Sequence, residues 1–396
     1  GPNYYIEKGR ENLLLQSNQF DTTPWGGVNA SVTPNATTAP DGTLTASKIV
    51  ATGGNAQHRI DQGTTSSAGV KTFSVYLKQS EITTSWLRIG TSGCFIDLTN
   101  GAISSISSGI IASTEALAND WYRCSITKTN AAANEILRIN AGVTDYLGDN
   151  ISGIFVWSSQ YEEGLAATEV IESGATKGKA GLLENEPRFD YSGGATCPSL
   201  LLEPSRTNNI PYSEYLSGLS LNNSPTLTQN YAVSPEGVQN AVRIQDTDGS
   251  SFKTIQTQFS VTANSTYTIS VYVKKATSPI STYGGFYFDF DGGTRKTSNL
   301  IFDEYNGTLV NASGNAITSV INPVINEGDY WRFSATATDT GSNTILRATL
   351  RPGASTNGTS IGYAIKDYTA YGFQAEQGSY VSSYIPNHSG GTITRA

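Results

Sequence analysis

Thr72-Phe73-Ser74-Val75-Tyr76-Leu77-Lys78 alternates apolar and polar side chains, and the pattern returns as Thr268-Ile269-Ser270-Val271-Tyr272-Val273-Lys274. A period of two marks a strand with one face on a core and one face away from it. The two stretches lie 196 residues apart, and further pairs surround them. Arg10, Asn12 and Ser17 return as Arg206, Asn208 and Ser213, with Ile6-Glu7 leading the first set and Glu203 the second. Ile96-Asp97 with Asn100-Gly101 returns as Phe302-Asp303 with Asn306-Gly307. Asp120-Trp121-Tyr122-Arg123 returns as Asp329-Tyr330-Trp331-Arg332, and Ile136-Leu137-Arg138 as Ile345-Leu346-Arg347. Gln160, Glu162 and Gly164 return as Gln374, Glu376 and Gly378, by which point the offset is 214 residues. A drifting offset means that loops of the second copy carry the insertions, as two copies of one fold would.

The repeat predicts an all-β chain of two antiparallel β-sandwich (jelly-roll) domains in tandem. The first module spans 6–175, a linker 176–199 and the second module 200–396. Turn residues punctuate each module about every ten positions, which favours antiparallel strands over βαβ units. Long connections between strands favour a jelly roll over a meander. A short strand is expected inside the linker at Arg188-Phe189-Asp190-Tyr191. Composition agrees: charged residues are 15% of the 396, hydrophobic residues 37%, and Gly, Ser, Thr, Asn and Tyr abound. Thr, Val, Ile and Tyr suit a pleated surface, while Gly and Asn suit turns.

The net charge of -8 argues against a nucleic-acid partner, which needs a basic footprint. No apolar run reaches the length of a membrane span. The N-terminus has no signal-peptide pattern. Gly1-Pro2 ahead of a chain without Met reads as a protease scar, so the ends are silent about natural location. Cys94, Cys124 and Cys197 are too few and too widely spaced for a disulfide framework or a zinc site, and buried free thiols are expected. Sequons such as Asn29, Asn35 and Asn357 are what chance gives in an Asn/Ser/Thr-rich chain.

Alternation assigns faces strand by strand. Phe73, Val75, Leu77, Leu87, Ile89, Tyr122, Cys124, Ile126, Leu137 and Ile139 form the inward set. Tyr76, Lys78, Trp86, Arg88, Trp121, Arg123, Arg138 and Asn140 point outward, and parity allows them one shared face. Tyr272, Lys274, Tyr287, Tyr330, Arg332, Arg347 and Arg351 repeat much of this set. Aromatic rings offer platforms for the C–H faces of sugars, and Arg, Lys and Asn offer donors for hydroxyls. The competing reading is an ordinary sheet exterior with Arg stems lying over Tyr rings. Trp157 and Tyr371 sit in runs where parity is silent, and burial is expected for both.

Chemistry is sparse. His58 and His388 are the only histidines, in polar, loop-like contexts of different modules. No Ser/His/Asp or Cys/His arrangement and no phosphate-binding Gly loop occurs. Glu162-Glu163 is the most visible carboxylate pair, but adjacent strand residues point apart and Gln377 follows Glu376 in the second copy. No cofactor is expected. Loops carrying Asp41, Asp97 or Asp145 are candidates for structural Ca²⁺, against the plainer reading of solvated turn aspartates.

These phrases resemble the carbohydrate-binding-like jelly-roll modules of bacteriophage tail-fibre, tail-spike and head-fibre proteins. Phe73 to Lys78, Ile96-Asp97-Leu98 with Asn100-Gly101, Trp121-Tyr122-Arg123, and Trp157 through Gln160 to Glu162-Glu163-Gly164 carry the resemblance. The family's phrases read FSVYLKA, FDLSTGTV, GWYRCS and IYIWGAQLEEGS-ATSYIPT. Leu200-Leu201-Leu202-Glu203-Pro204-Ser205-Arg206-Thr207-Asn208 is similar to the opening LLLEPQRTN, and Ser379 to Pro386 with Thr392 to Ala396 to the closing SYIPT…TRAA. The first copy departs at its end, where Ala166-Ala167-Thr168-Glu169-Val170-Ile171 stands for the SYIP phrase.

The resemblance implies a non-catalytic glycan binder on a virion surface appendage, or an extracellular protein, with a polysaccharide or cell-surface glycan as partner. Oligomerisation would come through the rest of a fibre. The alternatives are a spacer or capsid-decoration protein without ligand, and a jelly-roll polysaccharide lyase or hydrolase. Lys78, Arg88, Arg123 and Arg138, with Lys274, Arg332 and Arg347 repeating three of them, lead to the expectation of an acidic glycan.

Overall fold

The computed structural model describes residues 9–181, 189–190, 199–200 and 203–395. Ile6-Glu7, Cys197, Ala396 and most of the expected linker lie outside the described residues. The chain divides into two compact units, Lys8–Leu183 and a second containing Glu184–Ala396. Both are antiparallel β-sandwiches.

In the first unit one sheet runs Ile110–Ala116, Tyr122–Ala131, Gly69–Gln79, Gly153–Glu163, Ala46–Ala51, Ala30–Thr37. We term it the back sheet. The front sheet runs Gly26–Val28, Gly54–Gly63, Ile136–Gly148, Thr84–Ile89, Ser92–Asp97, Ile103–Ser104. The chain crosses between sheets after Val28, Ala51, Gly63, Gln79, Ser104, Ala131 and Gly148, which is the jelly-roll way of closing two layers. The second unit repeats the plan. Its front sheet runs Ser220–Asn222, Thr254–Ser260, Ile345–Ser355, Tyr283–Asp291, Lys296–Asp303, Thr308–Asn311. Its back sheet runs Thr226–Ala232, Ala241–Asp246, Lys366–Gln377, Thr266–Lys274, Tyr330–Thr338, Val320–Ile321.

The inward set makes the first core. Phe73, Val75, Leu77, Leu87, Ile89, Cys124, Ile126, Leu137 and Ile139 are fully buried, with Tyr122 packed against them. Cys94 and Cys124 are buried free thiols in that core, and burial pushes the Cys94 thiol up to about 11. Ile269, Val271, Phe286, Phe288, Leu346 and Leu350 fill the second core. His58 departs from the sequence reading. It lies on the strand Gly54–Gly63, fully buried, with its ring nitrogens 2.5 and 2.9 Å from the carbonyls of Asn29 and Tyr146.

The repeated polar phrases form a clip that closes each sandwich. Asn12 donates to the carbonyls of Ser159 and Ile171 (3.0 and 2.9 Å) and accepts from the amides of Leu14 and Tyr161. Asn208 donates to Ile385 (2.9 Å) and accepts from Ile210 and Ala375. Gln160 donates to Glu162 and accepts from the Ile171 amide, and Gln374 does the same with Glu376 and Ile385. Glu162 in turn accepts from the amide and hydroxyl of Thr168, and Glu376 from those of Ser382. Arg10 and Arg206 stand 4.0 and 3.6 Å from the two carboxylates. Thr168 and Ile171 thus occupy the places of Ser382 and Ile385. What reads as a departure at the end of the first copy keeps the clip's bonds, while the Tyr384 hydroxyl and its bonds to Ser213 and Glu214 have no counterpart at Val170.

The same opening strands fix where each unit ends. Arg10–Asn12 pairs with Gly178–Ala180, as Arg206–Asn208 pairs with Ile393–Arg395. Backbone donors of the opening strand need partners, so the first unit reaches Ala180, beyond the expected 175. Within the segment read as linker, Phe189–Asp190 pairs with Ser199–Leu200. The Asn-Gly turns also have a common cause. Gly101 and Gly307 have φ of 75° and 67°, and a Cβ there would meet Tyr122 at 2.6 Å and Trp331 at 2.7 Å.

Asn208→Ala should lower the unfolding free energy by about 2–4 kcal/mol, because it orphans buried amides and a buried carbonyl at once. Urea unfolding of the full chain checks this, and an unchanged midpoint would remove the clip from the account.

Candidate functional site

The outward residues do not share one face. Tyr76, Lys78, Trp121 and Arg123 lie on the back sheet, whereas Trp86, Arg88, Arg138 and Asn140 lie on the front sheet. Parity separates inside from outside, but each sheet of a sandwich has its own outside. The second unit divides in the same way. Tyr272, Lys274, Tyr330 and Arg332 belong to its back sheet, and Tyr287, Arg347 and Arg351 to its front sheet.

On the back sheets most of these residues are enclosed. Trp121 packs with Trp157, Ala39 and Ala46 in a small second core, and its Nε1 donates to the Thr38 carbonyl at 3.2 Å. Trp157 donates to Thr45 at 3.1 Å and meets Tyr76 edge-on. The equivalent core of the second unit joins Tyr272, Tyr330, Tyr371 and Tyr384. Trp157 and Tyr371 are therefore buried as expected, whereas Trp121, Tyr272 and Tyr330, read as exposed platforms, are buried too. The closing segments after Gly164 and Gly378 cover them, a contact that strand parity cannot foresee. Arg123 donates to the Thr168 carbonyl over the Tyr76 ring, and the buried Arg332 donates to Ser270 at 3.2 Å over Tyr272. These guanidiniums brace the closing segment and the sheet. Lys78 and Lys274 remain half-exposed at the strand ends.

The front faces are built differently. Trp86 and Tyr287 occupy equivalent positions: Trp86 pairs with Asn140, Tyr287 with Thr349, and one step along, Arg138 and Arg347 match. In the first unit the Arg88 guanidinium lies 3.9 Å from the Trp86 ring centroid and donates to Asn140 Oδ1 at 2.8 Å. In the second, Arg351 lies 4.1 Å from the Tyr287 ring and donates to Asn299 Oδ1 at 2.9 Å. An aromatic plane, a stacked guanidinium and a side-chain amide thus recur on both faces. The arginine and the amide come from different strands in the two cases. Each guanidinium Nε is buried without a hydrogen-bond partner.

In the second unit this group opens on a groove of about 400 Å³, lined by Tyr287, Arg295, Thr297, Asn299 and Arg351. Phe252 lies on the other side of Arg351 at 4.3 Å, and the half-exposed Tyr363 meets Phe252 edge-on. Arg347, expected to reach a ligand, is held by Asp289 at 3.1 Å and Asp291 at 2.8 Å. In the first unit Arg138 approaches Asp61 at 3.6 Å. Sequence reading missed Gln57, Arg59 and Asp61, whose alternation around the buried His58 and Ile60 is the signal that could have found them. It also missed Asn299 and Arg295 in the groove, and Phe95, which meets Trp86 edge-on.

A carboxylate pair was missed as well. The Tyr371 hydroxyl lies against both Glu214 and Glu236 and can donate its one proton to either, and Asn240 Nδ2 reaches both at 3.4 and 3.3 Å. Tyr384 donates to Glu214, and His388 stands 3.8 Å from it. Glu214 is buried beneath these rings. Glu162 and Glu163, the pair visible in the sequence, point apart as parity requires. Glu162 joins the clip, and Glu163 pairs with Lys71 at 2.8 Å. Among the described residues no group of three or more His, Cys, Asp or Glu gathers to hold a metal. Asp41 and Asp97 accept turn bonds from Thr43 and Thr99.

No protein-family model and no curated protein matches the chain. Among solved structures, it is similar to the N-terminal CBM22-1–CBM22-2 tandem domain of Xyn10C from Paenibacillus barcinonensis. The identity is 11%, covering 95% of this chain and 100% of that one, with a TM-score of 0.28. It is also similar to the ANX1 ectodomain from Arabidopsis thaliana (12% identity, 90% of each chain, TM-score 0.25). A third is the ANX2 ectodomain from the same plant (11% identity, 93% of this chain and 94% of that one, TM-score 0.22). No residue correspondence follows at these identities and scores.

Trp121→Ala and Tyr330→Ala should each cost about 3–5 kcal/mol of stability, the usual loss for a large buried aromatic. Thermal unfolding reads this out. A variant that unfolds like the parent would return its residue to the surface.

Proposed function

We propose that the chain is a non-catalytic glycan-binding protein, in which the front face of each unit presents a sugar platform. The recurrence of the aromatic, stacked guanidinium and amide on both faces carries this reading. Sugars combine apolar C–H faces with hydroxyls, and this trio offers a ring for the first and fixed donors for the second. Stacking on the ring holds each guanidinium flat, so little side-chain entropy remains to be lost on binding. Two sites on one chain add avidity where one polymer engages both. The resemblance of the sequence phrases to phage fibre modules supports a place on a virion appendage that recognises a host surface, or on a secreted surface protein. The arginines of the front faces favour a polysaccharide that carries acidic groups.

A glycan array probed with the full chain tests the reading. Trp86→Ala and Tyr287→Ala should each weaken binding by about tenfold or more, the equivalent of one good stacking contact, while leaving the unfolding temperature close to the parent's. Binding that survives both substitutions would remove the front faces from the function.

Glu214 and Glu236 are the one observation that favours the hydrolase alternative, since two carboxylates beside a phenol can divide acid and base roles. The burial of Glu214 beneath Tyr371 and Tyr384 keeps it from a polymer, and no turnover is expected. Reducing-end release from polysaccharides that Glu236→Gln abolishes would reverse this conclusion.

A further inference from the structure

The two front faces differ in charge at one pair of equivalent positions. Arg88 faces Arg138 across the strands of the first unit, while in the second unit Asp289 faces Arg347. Asp289 satisfies its surroundings, accepting from Arg295 at 2.8 and 3.0 Å and from Arg347 at 3.1 Å. The first unit holds Arg59, Arg88 and Arg138 around one carboxylate. Asp61 takes Arg59 at 3.1 Å and stands 3.6 Å from Arg138, so that among the described residues Arg88 feels Asp61 only at a distance and forms no ion pair of its own. Arg88 is only 8% exposed, its Nη2 serves Asn140 and Gln57, and its Nε is buried and unbonded. Like charges directly across a strand pair are destabilising. Burial, and then Arg138 and Arg59, pull the Arg88 pKa down to about 10, so it stays charged at neutral pH. A sheet that carries this repulsion in an otherwise acidic chain is arranged for an anion that is brought in.

We propose that the two units divide the ligand between them, the first holding a carboxylate or sulfate group on the Arg59–Arg88–Arg138 tray and the second holding an uncharged stretch on Tyr287. The inference rests on the glycan-binding reading for the source of the anion, but the tray's affinity for an anion stands apart from it. The Arg88 guanidinium is fixed on Trp86 with its Nη2 and Nε engaged or buried, and its Nη1 N–H groups are the ones left to an acidic group. In the second unit Asp289 already occupies Arg295 and Arg347, and Arg351 is left to hydroxyls.

Two measurements on the full chain test this. In the first, ¹⁵N-arginine-labelled protein is titrated with millimolar sodium sulfate against sodium chloride at matched ionic strength. The Arg88 signal, identified by its loss in Arg88→Gln, should shift saturably with sulfate and not with chloride. In the second, polygalacturonate and heparin binding is followed by calorimetry. Arg88→Gln and Arg59→Gln should each lose about tenfold or more in affinity, the worth of one charge-assisted contact, while Tyr287→Ala retains the acid-dependent part. Arg59 is more exposed than Arg88, so its variant keeps the test open if Arg88→Gln fails to fold. A saturable sulfate shift with no polysaccharide bound keeps the anion tray and removes the glycan reading. No sulfate-specific shift, together with equal polysaccharide affinity in parent and Arg59→Gln, overturns the proposal. So does acid binding that Asp289→Asn strengthens and neither tray variant weakens.

Discussion

The buried side-chain amides of Asn12 and Asn208 hold the rest of the molecule in place. Each ties the opening strand to the last long strand and to the segment that closes the sandwich. Buried amides and carbonyls cost free energy when unpaired, so once Asn208 is placed, the path of Ile210, Ala375 and Ile385 is largely set. Gln374 and Glu376 extend the constraint by taking up the amides of Ile385 and Ser382. A charge as deeply buried as Glu376 is tolerated because the Ser382 hydroxyl and amide, the Gln374 side-chain amide and Arg206 surround it.

That clip also decides which aromatic side chains are covered. By drawing the closing segment over the back sheet, it buries Trp121 and Trp157 in one unit and Tyr330 and Tyr371 in the other. Aromatic side chains that could have formed a surface platform become a second core instead. The middle strands of the front sheets carry Trp86 and Tyr287, partly exposed among the described residues, with a guanidinium against each ring. The two units therefore reach the same chemistry through different residues. Arg88 neighbours its own aromatic along one strand, whereas Arg351 reaches Tyr287 from the adjoining strand. Selection on the chemistry of a surface rather than on a position would leave this trace.

The electrostatics of the two faces differ although their frameworks match. Asp289 neutralises its neighbours and makes a self-contained ion network with Arg295 and Arg347. In the first unit one carboxylate serves a larger set of guanidiniums, and desolvation raises the cost of the excess charge. The shared sheet plan thus presents surfaces with a different balance of charge, with the difference confined to a few outward side chains that the core does not constrain.

The alternation Phe73-Val75-Leu77 determined the strands and the inward set, because a side-chain period of two leaves no other way to bury those residues. The repeat determined that there are two such sandwiches, and the Arg-x-Asn and Gln-x-Glu phrases marked the clip before its bonds were visible. Tertiary structure alone decided which outward residues meet. Parity says that Arg88 and Arg123 both leave the core, but not that they leave through opposite sheets. Nor does it say that Ala39, Ala46 and Val170 gather around Trp121 and Trp157. Arg351 joins Tyr287, and Arg59 and Asp61 join Arg138, only through strand order, and strand order is set by crossovers between layers that no local pattern encodes. Local periodicity is fixed by the geometry of one chain segment, whereas a binding face is assembled from segments far apart in sequence, so it exists only once the sheets have formed.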